Sequence, residues 1–392
     1  MKKSLLKIIF TLVFLELFLG GTGRLTELTA FLTLRMCLFI VYMVLSIIYL
    51  IKKHTIPKEI VFIIAFFCFI MTFDSLIGYA NGASSSVIFE DVKPLLNVFL
   101  LCYLSFSITK IEDIRYLIKL LKISSILLVV LHFVLFGLVL VFSDIGVIYS
   151  ALSASNNEDS SNVMFFFKGD SGFVNYTGDL YLCVGFIVWE QYHKKSLVKY
   201  LALASLAIAI VLTGTRGLIF ALAGVYIIKW LILKLNYKSL ISLILGAVFI
   251  VGVYFQIKNN IGDKDNSDQT RYDTIGQVVD RINPVSFFVG HGLGVGVPVR
   301  PVHMEISYLE IFQKQGLIGL FWYFCILLIA YLAYKHSFIE DSIGLYMCVI
   351  FIYLLSFTNP YINHPLGITV IAVSIVSLIK LRQFEDQKVL LQ

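Results

Sequence analysis

Long apolar runs, broken by lysines, glycines and prolines, fill most of the 392-residue chain. A helix needs ~20 mainly apolar residues to cross the hydrocarbon core of a bilayer. Twelve runs come near that length, at about 5–21, 30–51, 58–78, 92–108, 123–142, 175–192, 197–213, 216–234, 238–256, 312–334, 342–358 and 365–381. They predict an all-α, polytopic integral membrane protein of about 12 transmembrane helices, forming a single transmembrane domain over 1–392. Between the fourth and fifth runs, Ile111, Ile114, Leu117 and Leu121 alternate at helical spacing with Glu112, Arg115, Lys119 and Lys122. That stripe predicts a short helix lying in the membrane interface. Two gaps are long, 143–174 and 257–305, and loops of this length commonly carry function.

Composition agrees: 59% of residues are hydrophobic and 14% charged, far from a soluble domain. An even number of spans puts both termini on one side. With that side cytoplasmic, every gap assigned to it contains Lys or Arg, as the positive-inside rule requires, and both long loops face outward. The net charge of +6 is spread by membrane side and forms no patch, which excludes nucleic acid as a partner. The N-terminus has the basic start and apolar run of a signal peptide but no A-x-A site, so an uncleaved first helix is expected. The six cysteines sit in apolar runs without CxxC spacing, indicating neither a disulfide framework nor a zinc site.

Chemistry is suggested by charge in unusual places. Glu16, Arg35, Asp74 and Asp179 fall within or near the ends of expected spans, toward the external side, and His132 lies near the middle of one. Each charge taken alone reads as snorkelling to the interface, and their shared side agrees with a polar cavity opening outward. Six of the eight arginines, Arg24, Arg35, Arg216, Arg271, Arg281 and Arg300, belong to the external side. Lysine suffices to set topology, whereas the planar guanidinium grips phosphate with two parallel hydrogen bonds. An anionic, phosphate-bearing ligand is the expectation.

Three segments stand out. Leu212-Thr-Gly-Thr-Arg-Gly-Leu218 is a polar turn that puts Arg216 at the start of a helix, where unpaired N–H groups also favour an anion. Gln269-Thr-Arg-Tyr-Asp273 is followed by Asn283-Pro284 and by Phe288-Val-Gly-His-Gly-Leu-Gly-Val-Gly296. The glycines permit close backbone approach, but they follow no Rossmann strand, so dinucleotide binding is rejected. Asp263, Asp265 and Asp268 suggest calcium, but an EF-hand would need Gly at 268 and Glu at 274, so a solvated acidic loop is the better account. The third segment, Val302-His-Met-Glu-Ile-Ser-Tyr through Gly316 and Gly319, leads into the tenth span. His291 and His364 read as structural.

In this order, between about Thr213 and Gly319, these segments resemble the O-antigen polymerase and ligase superfamily. The rest of the chain resembles it only by helix count. The resemblance implies a metal-independent glycosyltransferase without cofactor, multi-pass in the bacterial inner membrane, its site facing the periplasm. It implies that Arg216 and Arg271 bind the pyrophosphate of an undecaprenyl-linked glycan, and Arg300 joins them as a third candidate. Family members often carry His-Asn where this chain has Glu305 and Ile306, with His303 two residues earlier. Either Glu305 or His303 would then take the acceptor hydroxyl's proton, and Tyr308 is a candidate for stacking on sugar. The expected function is polymerisation of O-antigen repeat units, each transfer moving the growing glycan to a sugar hydroxyl of the next lipid-linked repeat. The alternatives are a ligase delivering the glycan to lipid A–core and, less favoured, a flippase or other transporter. A chain-length regulator and a flippase are the expected protein partners.

Overall fold

A computed structural model describes residues 2–21, 27–29, 32–52, 54–141, 165–168, 173–233, 265–337 and 342–390. The expected span 238–256, most of the loop 143–174, Arg24 and Asp263 lie outside them. In chain order the helices are α1 (Lys2–Leu19), α2 (Leu34–Ile51), α3 (Lys58–Ala80), α4 (Ser85–Leu95), α5 (Leu100–Ser107), α6 (Ile111–Val141), α7 (Leu180–Tyr192), α8 (Leu197–Leu212), α9 (Arg216–Leu233), α10 (Asp265–Asp280), α11 (Pro284–Val289), α12 (Ser307–Lys335), α13 (Ser342–Leu355) and α14 (Pro365–Leu390). Two small antiparallel hairpins accompany them, β1 (Glu27–Thr29) with β2 (Leu32–Thr33) and β3 (Phe165–Lys168) with β4 (Phe173–Tyr176).

Among the described residues, six helices (α2, α3, α6, α9, α12 and α14) are long and apolar enough to cross a membrane, and α8 and α13 are shorter apolar helices. Their outward surfaces are also apolar: Phe62, Phe69 and Leu76 on α3, and Phe321, Phe324 and Leu328 on α12, are all exposed. Water does not tolerate so broad an apolar surface, whereas lipid does. The chain is a multi-pass membrane protein.

Three elements differ from the pattern-based expectation. The stripe at 111–122 is the first third of one 31-residue helix, α6, and not a separate interfacial helix. Its apolar residues Ile114, Leu117 and Leu121 are buried by protein instead of lipid. The span expected at 92–108 is divided among the end of α4, which contains Pro94, a 3₁₀ turn at Leu96–Phe99 and α5. The segment 257–305, expected as a long loop, contains α10 and α11 among its described residues.

The chain divides into two compact units. The first contains residues 1–38 and 114–262. Within it, a ring stripe on α1 (Phe10, Phe14, Phe18) continues onto Tyr181 of α7, with Phe18 and Tyr181 centroids 5.2 Å apart. Four of the five residues that seemed out of place are paired here. Arg35 lies 3.5 Å from Glu16 and donates to the Gly21 carbonyl at 2.8 Å. His132 Nε2 lies 2.9 Å from Asp179 Oδ1, both side chains essentially inaccessible, while Asp179 Oδ2 accepts from the Tyr176 amide at 2.9 Å. Pairing is what makes such burial tolerable, and these contacts tie α6 and the β4 corner together.

The second unit contains residues 39–113 and 263–392. Its centre is α14, whose apolar residues continue around the whole circumference and are buried from Leu366 to Leu381. Asn97 of the 3₁₀ turn donates to the Pro365 carbonyl and to Thr369 Oγ1, both at 3.0 Å, and accepts from the Tyr42 hydroxyl. Trp322 of α12 is buried against α3, where its indole N–H donates to the Ile63 carbonyl at 3.1 Å.

Candidate active site

In the second unit a break in α12 organises the polar residues. Gly316 has φ +62°, a left-handed conformation that a side chain resists, and it interrupts the helix inside the protein. Such a break deprives nearby carbonyls of their i+4 donors. The glycine-rich loop supplies replacements: His291 N–H donates to Gln313 O and Gly292 N–H to Lys314 O, each at 2.9 Å. The next amide, Leu293, donates to Asp74 O of α3 at 3.0 Å. The loop seats so closely that a Cβ on Gly292 would lie 2.0 Å from Gly78 N. Its glycines therefore serve backbone packing between α3 and α12.

Beyond that loop, α10 contributes Thr270, Arg271 and Thr274 to the site. Val278 is buried with Val297 and Met304, and that cluster fixes the helix against the segment that follows the glycines. A tight turn, closed by paired backbone hydrogen bonds between Val297 and Arg300, aims Arg300 back toward α10. Glu305 receives both arginines. Arg271 Nε lies 2.8 Å from its Oε2 and Arg300 Nη2 lies 2.7 Å from its Oε1, with all three side chains about one-third exposed. Thr270, Thr274 and Ile306 complete a cavity of about 200 Å³. Two guanidiniums on one carboxylate leave a net positive charge, suited to an anion.

A second cluster was not foreseen from sequence. Lys314 Nζ sits 2.8 Å from Asp91 Oδ1, 2.7 Å from Glu310 Oε1 and 2.6 Å from the Val302 carbonyl, and all three charged side chains are at most 5% exposed. Asn363 donates to Glu310 Oε2 at 2.8 Å, and the Gly294 amide donates to Asp91 Oδ2 at 2.7 Å. His303, whose side chain is 58% exposed, faces this group through Nδ1, 3.4 Å from Glu310 Oε1 and 3.7 Å from Asp91 Oδ1. The Glu310 hydrogen bond holds the His303 imidazole above its usual pKa, against an opposing effect of burial. Leu293 and Tyr323 also line the open pocket here. Donor atoms of Asp91, His303 and Glu310 lie within 4.8 Å of one another, close enough to hold a metal. The Lys314 ammonium, however, contacts the same two carboxylate oxygens that a cation would use.

Of the residues singled out from sequence, the structure thus brings Arg271, Arg300 and Glu305 together and gives His303 to a neighbouring cluster. Arg216 belongs to the first unit, at the N-terminus of α9 after a turn with Gly214 at φ +58°. The Tyr308 hydroxyl donates to Tyr353 O at 2.8 Å and its ring packs on Phe357, so it is tied to α13. His364 accepts from the Leu366 amide at the start of α14, and His291 acts through its backbone. The signal for the missed cluster was present: Glu310 and Lys314 are an i,i+4 pair at the entry to the tenth expected span.

Fold and site together define a multi-pass membrane protein with an arginine-flanked carboxylate and a buried acid–lysine cluster in its second unit. No family model matches the sequence. The chain is 28% identical over 327 residues to an O-antigen polymerase of Shigella flexneri, covering 80% of this chain and 79% of that relative. This similarity supports the O-antigen polymerase and ligase superfamily, the one its motifs resemble.

Proposed function

We propose that the protein polymerises the repeat units of O antigen or a similar surface polysaccharide at the periplasmic face of the bacterial inner membrane. The observation that carries this reading is the Arg271–Glu305–Arg300 constellation, in a chain similar along most of its length to an O-antigen polymerase. The donor is a glycan on undecaprenyl pyrophosphate and the acceptor a sugar hydroxyl of the next lipid-linked repeat. The acceptor oxygen bonds to the anomeric carbon as the bond to pyrophosphate breaks, and the lipid pyrophosphate leaves with the electron pair. Arg271 and Arg300 bind that pyrophosphate and stabilise the charge it gains. The hydroxyl proton passes to Glu305 or His303. Guanidinium groups take the role a divalent metal has in other pyrophosphate-releasing enzymes, so the reaction is metal-independent. A flippase supplies the repeats and a chain-length regulator sets the product length.

Deleting the gene in its source bacterium tests this. Core bearing a single repeat, with the lipopolysaccharide ladder gone, is the expected result. Full-length polymer retained on undecaprenyl would select the ligase, and bare core without such polymer a flippase. An unchanged ladder together with normal capsule and exopolysaccharide would overturn the reading.

A further inference from the structure

We propose that Glu310, anchored by Lys314 and Asn363, is a positioning residue that orients His303 as the proton acceptor of the transfer reaction. The inference rests on the glycosyl-transfer reading and decides between its two candidate bases.

The geometry separates the candidates. Both oxygens of Glu305 are engaged by guanidinium groups, at 2.8 and 2.7 Å. His303 is the one exposed member of its cluster, and the ring edge carrying Nδ1 faces two carboxylates. Carboxylates on one edge select the tautomer with the proton on Nδ1, which leaves the Nε2 lone pair to accept a proton. Glu310 is held from both sides, Oε1 by Lys314 and Oε2 by Asn363. Lys314 also grips the Val302 carbonyl, the backbone group next to His303, so ring and partner share an anchor.

Charge balance points the same way. Asp91 of α4 and Glu310 of α12 contribute two negative charges and Lys314 of α12 one positive. Tyr323 and Asn363 add polar atoms without charge, so the cluster facing a neutral His303 is net negative by one. Accepting a proton makes it neutral. The surroundings therefore favour the imidazolium that forms during transfer, and they do so with groups already fixed in place. Burying three ionised side chains beside one exposed imidazole is difficult to account for by packing alone, since apolar residues fill such space more stably.

The experiment uses the full-length protein in nanodiscs, with lipid-linked repeats as substrate and turnover followed against pH. Wild type is expected to lose activity in acid as His303 protonates. Glu310→Gln should lower turnover at neutral pH at least ~10²-fold and move the acid limb to lower pH, because the carboxylate that raised the imidazole pKa is gone. Glu310→Asp should restore part of the rate and keep the limb near its wild-type place, which a merely structural role would not predict. An active Glu310→Gln with an unmoved acid limb overturns the inference.

Should Glu310→Gln fail to fold, ¹⁵N spectra of histidine-labelled wild type provide the second measurement. Their His303 signal is identified by its absence in His303→Gln. A neutral ring protonated on Nδ1 supports the assignment, and one protonated on Nε2 overturns it. A folded wild type that makes no polymer from any lipid-linked repeat would instead sink the polymerase reading, and the spectra tell these failures apart.

Discussion

Replacing Gly292 by alanine adds one methyl group at the point where the glycine-rich loop meets α3. That methyl would lie 2.0 Å from Gly78 N and 2.4 Å from Gly78 Cα, both backbone atoms that cannot rotate aside. Ordinary contact begins near 3.4 Å, so the loop must retreat by roughly 1.4 Å. Such a retreat breaks the amide bonds from Gly292 to Lys314 O and from Leu293 to Asp74 O, now 2.9 and 3.0 Å long. Each lost bond costs about 1 kcal/mol, and a Cβ at φ +88° adds about 1–2 kcal/mol. The total, about 3–4 kcal/mol, lowers the melting temperature by on the order of 10 °C. Thermal unfolding in detergent, followed by tryptophan fluorescence, measures it, and Trp322 reports from the same unit. Gly276→Ala is the control: nothing lies within 4 Å of its added methyl, and its place in α10 predicts a gain of about 0.5–1 kcal/mol. Equal melting of the two variants would refute the claim that the loop is keyed into α3.

Other expectations follow from the same geometry. Arg271→Ala and Arg300→Ala should each reduce polymerisation by ~10²-fold, with lysine at either place restoring little because it cannot form the planar two-bond grip; wild-type polymer from both alanine variants at normal protein level would remove them from pyrophosphate binding. Asp179→Ala should destabilise the first unit by about 3–5 kcal/mol, since it strands buried His132 and the Tyr176 amide; a melting temperature within 2 °C of wild type contradicts this. His303 also links stability to pH. Its pKa is raised in the folded protein, so the stabilisation is complete below the unfolded value and fades as pH rises through the folded one. Melting temperature should therefore decline from pH 6 to 8, and in His303→Gln this decline should be absent.

How far the sequence reached can be seen in particular residues. Length and polarity located the long helices, because a bilayer imposes both on any span. Periodicity misplaced the 111–122 stripe, since an apolar face fits a protein neighbour as well as a lipid one, and only packing chooses. Arg271, Arg300 and Glu305 were each visible as charge in a long segment between expected spans, and a closed turn at 297–300 brought them together. Asp91 was not visible as a partner of Lys314 because they lie 223 positions apart and nothing local links them. The glycines at 290–296 were visible as a stretch allowing close backbone approach, but their service to the broken α12 depended on knowing where that helix breaks.

The acid–lysine cluster also bears on how the protein is inserted into its membrane. Glu310 and Lys314 lie one turn apart on a single helix, so they neutralise each other as soon as that turn forms, before any neighbour arrives. Asp91 has no such companion on its own helix face and reaches its lysine only when α4 and α12 have packed. Until then the nascent protein carries an uncompensated carboxylate, and the drive to neutralise it rewards the correct pairing of those two helices over others. Packing of α4 against α12 thus completes the charge balance of the cluster, and a chain in which these two helices fail to meet keeps an unmatched carboxylate.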